Sequence, residues 1–196
     1  MAGKVRIIAG SWRGRKLQVS SLPGLRPSGD RARETLFNWL GPSIQTCRCL
    51  DLFAGTGVLG LEAISRGARS AVLIDSSRQA LAAIDQQTAS WPGRERIELV
   101  NADALRWLPR RNQSFHLVFI DPPHGQGLQM PALRHLAEHG LLAADARVCV
   151  EYGLGEDWSR DDASWLEERF VALKSARFGR VALDLYRVCS GRSTKG

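Results

Sequence analysis

What the chain lacks narrows it quickly. Nowhere among its 196 residues does an apolar run approach the ~18 that a membrane-crossing helix needs. The opening Met1-Ala2-Gly3-Lys4-Val5-Arg6 has no apolar signal segment behind it, so a cytosolic protein with no membrane partner is expected. Internal repeats and low-complexity tracts are missing, and 44% hydrophobic residues exclude wholesale disorder. Cysteine is scarce: Cys47, Cys49, Cys149 and Cys189 have apolar or strand-like neighbours, and C-x-C is not a zinc-ribbon spacing, so all four read as buried thiols. His135 and His139 lie four apart on a predicted helix, but no third metal ligand accompanies them. They read as a solvated helix face, and no metal is expected. The length is too short for two full domains and suits one domain with a small appendage, expected to be a monomer.

Charge is abundant but unevenly spread. Residues 1–34 carry eight basic and two acidic side chains, residues 174–196 carry six and one, and the stretch between carries 13 and 17. The net charge of +7 therefore divides into +6, +5 and −4. A mildly acidic centre with two basic ends suggests a positive patch built from those ends, and such a patch favours nucleic acid.

Along the chain, residues 5–20 read as two short strands around a turn near Arg13-Gly14. A connector from Pro23 to Gly29 follows. Asp30 then looks placed to cap a helix carrying Ala32, Leu36, Phe37 and Leu40, which Gly41-Pro42 stops. From there the pattern alternates. Strand-length apolar runs occur at Cys49–Phe53, Ala71–Ile74, Ile97–Val100, Phe115–Ile120 and Val148–Val150, with helical stretches at 57–66, 77–90, 104–110 and 131–139. Buried-looking strands alternating with helices predict an α/β fold: a doubly wound, Rossmann-like, mostly parallel sheet. Phe170–Ala176 and Val181–Val188 lie too close for a helical crossover and predict an antiparallel hairpin that ends the sheet. The division expected is residues 1–41 as a basic extension and 42–196 as the α/β domain.

The strongest local signal is Leu50-Asp51-Leu52-Phe53-Ala54-Gly55-Thr56-Gly57-Val58-Leu59-Gly60, a strand running into G-x-G-x-x-G and then a helix. Such glycines allow a tight turn and let a ligand approach the backbone and the helix N-terminus. Asp75, followed by Ser76, ends the next strand, where a carboxylate can accept both hydroxyls of a ribose. Asp103, followed by Ala104, ends the third. Carboxylates at the C-terminal ends of consecutive strands converge on the crevice where open α/β sheets bind ligands. An adenosine-containing cofactor is implied, and NAD and S-adenosylmethionine both remain candidates. Only about 75 residues follow the fourth strand, too few for a dehydrogenase's usual substrate domain. Asp51 also sits poorly beside a pyrophosphate but well beside an ammonium or sulfonium. Methyl transfer from S-adenosylmethionine is favoured.

The fourth strand ends in Phe119-Ile120-Asp121-Pro122-Pro123-His124-Gly125. Two prolines after an acid stiffen a loop at the same sheet edge and fix the direction of the Pro122 carbonyl. Here the sequence resembles the class I methyltransferases that modify exocyclic amines of nucleobases, whose signature is Asp/Asn-Pro-Pro-aromatic. The stretches Arg6-Ile7-Ile8-Ala9-Gly10-Ser11-Trp12-Arg13-Gly14-Arg15-Lys16-Leu17 and Arg26–Asn38 are similar to the opening of bacterial enzymes of the RsmD type, which methylate guanine N2 at position 966 of 16S rRNA. The resemblance spans nearly the whole chain, with one departure: His124 stands where that family usually has Phe or Tyr.

The resemblance implies roles. Asp121, Pro122, Pro123 and His124 would be catalytic, with the carboxylate and the Pro122 carbonyl aiming the amine and His124 stacking on the base. Asp51 and the loop Ala54-Gly55-Thr56-Gly57 would face the methionine moiety, Asp75 and Ser76 the ribose, and Asp103 with the Ala104 backbone the adenine. Asp75 and Asp103 have a structural alternative, as caps of the helices that follow them. Arg6, Arg13, Arg15, Lys16, Arg26, Arg31 and Arg33 are candidates for phosphate contacts with 16S rRNA or the assembled small ribosomal subunit. Trp12 would either stack on a base or anchor the hairpin. The rival readings are another nucleic-acid amine methyltransferase, such as an adenine-N6 enzyme, a non-catalytic ribosome-assembly protein, and an NAD-linked dehydrogenase.

Overall fold

A computed structural model describes residues 3–19, 27–109, 113–155 and 158–189. Strands β1 (Gly3–Arg6) and β2 (Lys16–Val19) form a separate antiparallel pair and lead into helix α1 (Pro27–Leu40). The main sheet then begins: β3 (Arg48–Asp51), α2 (Val58–Ser65), β4 (Ser70–Asp75), α3 (Arg78–Thr88), β5 (Ile97–Asn101) and β6 (Phe115–Ile120). The chain ends α4 (Gln129–Glu138), β7 (Leu142–Gly153), α5 (Arg160–Arg169), β8 (Phe170–Phe178) and β9 (Val181–Val188). The seven strands lie in the order β5-β4-β3-β6-β7-β9-β8, parallel from β5 to β7, with the antiparallel β8–β9 hairpin at the edge.

The predicted doubly wound fold and its terminal hairpin are therefore present. The strands are apolar on both sides because helices cover both faces. Leu117, Phe119, Cys149, Leu183 and Leu185 pack towards α1, α2 and the β1–β2 arm. Their alternates Val118, Ile120, Val148, Val150 and Tyr186 pack with Leu133 and Leu136 of α4 and Leu166 of α5.

Local features depart from the sequence reading where single residues decide the outcome. Residues 104–106 form only a turn, its backbone N–H groups returning to the Asp103 carbonyl, and Pro109 prevents a helix from continuing. Helix α1 starts at Pro27, a residue with no N–H to leave unpaired, so Asp30 sits in the first turn instead of capping it. β7 is far longer than Val148–Val150 and contains an irregularity where Asp145 adopts φ +57°. Helix α5, capped by the Ser159 hydroxyl on the Asp162 N–H, had no counterpart in the sequence reading because its short apolar stripe is weak. His135 is buried rather than solvated, and its Nε2 pairs with the Trp107 carbonyl at 2.8 Å. Cys49 and Cys149 are buried, but Cys47 and Cys189 are only partly so. Among the described residues no helix is long and apolar enough to cross a membrane.

The N-terminal arm is welded to α2. Glu62, fully buried on that helix, accepts the Ile8 N–H at 2.7 Å and the Ala9 N–H at 3.0 Å, and pairs with Arg66 at 2.7 Å. Three residues along α2, the Ser65 carbonyl accepts the Ser11 N–H and the Ser65 hydroxyl accepts the Trp12 N–H. A side chain at Gly10 would place its Cβ 1.9 Å from that same carbonyl, so only glycine allows the approach. Trp12 is buried, donates its indole N–H to the Pro92 carbonyl, and meets Trp91 edge-on at 5.1 Å. Of its two sequence readings, the anchor is the one that the packing supports.

Removing the Glu62 carboxylate strands two backbone donors and a guanidinium in the interior. Glu62→Ala is expected to cost about 3–5 kcal/mol and, at roughly 2–4 °C per kcal/mol for a chain of this size, to lower Tm by about 6–20 °C. Tryptic cleavage after Arg13 and Arg15 should accelerate in parallel. Unchanged melting and proteolysis would show that the arm is held by apolar packing alone.

Candidate functional site

Beside β3 the strand order reverses: β4 lies on one side and β6 on the other, so the loops that follow β3 and β6 leave the sheet next to each other. This is the switch point where open α/β sheets accommodate ligands. The first loop turns sharply into α2, with Gly57 as its N-cap at φ +74°. A Cβ on Gly55 would meet only open space, whereas one on Gly60 would press on Leu73 of β4 at 2.7 Å. One glycine therefore borders the crevice, and the other lets α2 lie close against the sheet.

Acids mark the strand ends. Asp51 is buried beneath the loop, and its Oδ2 accepts the Gly60 N–H at 3.0 Å. Burial lifts its carboxyl to about 7, opposed by that hydrogen bond and reinforced by the charges of Asp121 and Asp75. Asp75 ends β4, with Oδ2 accepting the Gly55 N–H and Oδ1 the Ser77 N–H, each at 2.7 Å. Ser76 is exposed, and Ser77 caps α3. Asp103 is exposed and accepts the Leu105 N–H at 2.9 Å, with Ala104 buried behind it. Neither acts as the helix cap of its structural alternative, since Ser77 caps α3 and only a turn follows Asp103, although each accepts the backbone N–H two residues on. Each also keeps lone pairs for a hydroxyl or amine donor. Asn101, absent from the sequence reading, donates to the carbonyls of Asp75 and Ser76 and braces the end of β4.

On the other flank a cavity of about 510 Å³ opens between α1, the ends of β6 and β7, and the β8–β9 turn. Thr56, Asp121, His124, Glu151, Arg33 and Arg180 are among its lining residues. Burial lifts the Asp121 carboxyl to about 6, with the nearby His124 opposing the rise. Pro122 is buried, while Pro123 and His124 are exposed.

Glu151 is the acid that the sequence reading missed. It follows the run Val148-Cys149-Val150 as Asp121 follows Ile120, but ending the predicted strand at Val150 removed it from view. Burial, and then the Asp121 charge, lift its carboxyl to about 8.

The basic residues separate into groups. Lys4, Arg6, Arg13, Lys16 and Arg31 are exposed, with Arg6 opposite Lys16 in the β1–β2 register. Arg15 is half-buried, its guanidinium 4.9 Å from the Trp91 ring centre. Arg33 differs from the expected surface contact. It is buried, and its Nη2 donates to the Arg6 carbonyl at 2.7 Å and pairs with Asp30 at 3.0 Å, while its buried Nε has no partner among the described residues. Arg26 lies outside the described residues. The two basic ends do meet, since α1 and the Arg180 turn wall the same cavity. Among the described residues no group of three or more His, Cys, Asp or Glu side chains is arranged to hold a metal.

Replacing Asp51 by Asn keeps an acceptor for Gly60 and removes a buried charge. The folded carboxyl titrates above its unfolded value of about 4, so the charge penalty is absent below that pH and is complete above about pH 7. Asp51→Asn is expected to unfold later than the parent by roughly 1–3 kcal/mol at pH 8, with the gap closing as pH falls towards 4. Denaturant titrations at pH 8, 6 and 4 measure it, and a pH-independent gap would contradict a titrating Asp51.

The family model described as conserved hypothetical protein 95 matches residues 5–187. Ribosomal RNA small subunit methyltransferase D of Escherichia coli K12 is 42% identical over 188 residues, covering 95% of this chain and 91% of its own. Its Haemophilus influenzae counterpart is 38% identical, covering 94% of each. A solved Escherichia coli candidate methyltransferase, 38% identical, superposes with a TM-score of 0.84 over 96% of this chain and 100% of its own.

Proposed function

The chain belongs to the family described as conserved hypothetical protein 95, with small-subunit ribosomal RNA methyltransferases D as relatives, and from that premise we propose that it is an S-adenosylmethionine-dependent rRNA methyltransferase. The proposed reaction places a methyl group on the exocyclic N2 amine of a guanine in 16S rRNA, at position 966. The observation that carries the reading is the Asp121-Pro122-Pro123-His124 loop. It opens into a cavity large enough to admit a nucleobase beside the glycine loop, across the β3–β6 switch point.

The residues around the crevice fit the cofactor. Asp51, Asp75 and Asp103 form an acidic edge that would repel a pyrophosphate and attract an amino acid bearing an ammonium and a sulfonium. The open space at Gly55 leaves room for a ligand against the backbone. In this reading Asp51 and the Ala54–Gly57 loop hold the methionine end, Asp75 and Ser76 the ribose, and Asp103 with Ala104 the adenine. The bound cofactor supplies an electrophilic methyl group.

The protein's part is orientation. A guanine N2 lone pair is delocalised into the ring and nucleophilic only when held. The Asp121 carboxylate accepts one N2–H and the Pro122 carbonyl the other, which aims the lone pair along the line of transfer. The proton lost from N2 passes to an Asp121 carboxylate oxygen. The His124 imidazole stacks on the base, which has left its own helix or loop to enter the cavity. The exposed cations of the β1–β2 arm, with Arg31, contact phosphates.

Labelled S-adenosylmethionine incubated with small ribosomal subunits, free 16S rRNA or DNA should label a single rRNA guanine. A labelled adenine, or label in DNA, would select the rival amine methyltransferase, and RNA binding without transfer would select an assembly factor. Asp121→Ala should lower kcat by roughly 10³-fold with cofactor affinity unchanged. Because Asp121 acts ionised, the rate should fall about tenfold per pH unit below about 6. His124→Ala should raise KM for RNA about five- to tenfold with little change in kcat, and His124→Tyr should restore it. A parental rate for Asp121→Ala ends the assignment.

A further inference from the structure

Asp121 and Pro122 account for one substituent of a purine. A base whose N2 amine is held there still presents N1–H, a donor, and O6, an acceptor, along the same edge. The cavity must match both or leave them unpaired, at the cost of a buried polar group.

Glu151 is placed to do so. β6 and β7 run parallel with Phe119 opposite Cys149 and Ile120 opposite Val150, so Asp121 and Glu151 are the next residues on adjacent strands. Both line the cavity. Among the described residues the Glu151 carboxyl has no hydrogen-bond or ion-pair partner. Its strand is fixed from below, where its own backbone carbonyl accepts from Gln129. Arg33 and Arg180 line the same cavity, and neither forms an ion pair with Glu151. Two half-buried carboxyls on neighbouring strand ends do not both ionise near neutral pH, and Glu151 is the one that retains its proton there. A neutral carboxyl offers one O–H donor and one C=O acceptor.

We propose that Glu151 is the residue that selects guanine, its carboxyl group donating to O6 and accepting from N1–H of the base whose N2 amine is held by Asp121 and Pro122. The inference rests on the methyltransferase reading above and adds a specificity determinant to it. An adenine in the same pose, with N6 in place of N2, presents a bare N1 acceptor and a C–H. The Glu151 oxygen is then left without a donor, and discrimination follows from that loss.

The test uses the full chain and an RNA carrying either guanine or 2-aminopurine at the mapped target position. 2-Aminopurine keeps the N2 amine but lacks O6 and the N1 proton. The wild type should prefer guanine by about 30- to 100-fold in kcat/KM. Glu151→Leu should narrow that ratio to within about threefold, chiefly by slowing transfer to guanine. Glu151→Gln, whose amide offers the same donor and acceptor, should keep the preference within a few-fold. Equal melting temperatures and equal S-adenosylmethionine affinity report that both variants are folded. A preference that survives in Glu151→Leu, or one that collapses equally in Glu151→Gln, overturns the role of Glu151 and leaves the methyltransferase reading intact. A wild type that modifies only adenine overturns the role of Glu151 and the guanine target together, while methyl transfer stands.

Discussion

The Glu62 carboxylate ties the two working parts of the molecule to one rigid body. Helix α2 begins at the glycine loop and, one turn later, presents Glu62 to the backbone of Ile8 and Ala9. The same helix therefore positions the crevice at its start and the basic arm along its flank. Because the Glu62 carboxylate is itself fully buried, its charge-assisted hydrogen bonds are costly to break. Trp12 and Gly10 complete the joint by filling space and by permitting contact. The exposed cations of β1 and β2 are consequently held at a fixed distance from the cavity rather than swinging on a linker.

A second constraint is electrostatic. Asp51, Asp75, Asp121 and Glu151 gather at one edge of one sheet, and three of them have carboxyls lifted towards or beyond neutrality. Such a cluster destabilises the fold that carries it, as functional sites often do. Its members nonetheless divide the work by environment. Asp75 is already engaged by backbone N–H groups, whereas Asp121 and Glu151 face open volume. One edge can therefore offer a cation-attracting crevice on one flank and a mixed donor–acceptor wall on the other.

The fold was legible in the sequence because its signals are periodic and local. Buried parallel strands read as apolar runs, and Gly-x-Gly-x-x-Gly marks a strand-to-helix turn wherever it falls between them. Asp75 and Asp121 were visible because each directly follows such a run, and Asp103 because it lies two residues beyond the end of β5. Glu151 obeyed the same rule, but the true end of β7 depends on pairing with β9, which is far away in sequence. Arg33 and His135 were misjudged for a related reason. Residue type announces charge or polarity, whereas burial depends on which surfaces tertiary packing brings over them. Trp12 could not be assigned from sequence because an anchor and a stacking platform demand the same side chain.

The walls of the cavity come from distant parts of the gene product: Arg33 from near the start, Asp121 from the middle, and Arg180 and Leu183 from near the end. β9 inserts between β7 and β8, so the sheet edge is finished only when the last strands have been made. During synthesis the arm and the crevice can therefore form before β8 and β9 pair with β7, and the far wall of the cavity is the last part of the site to be laid down.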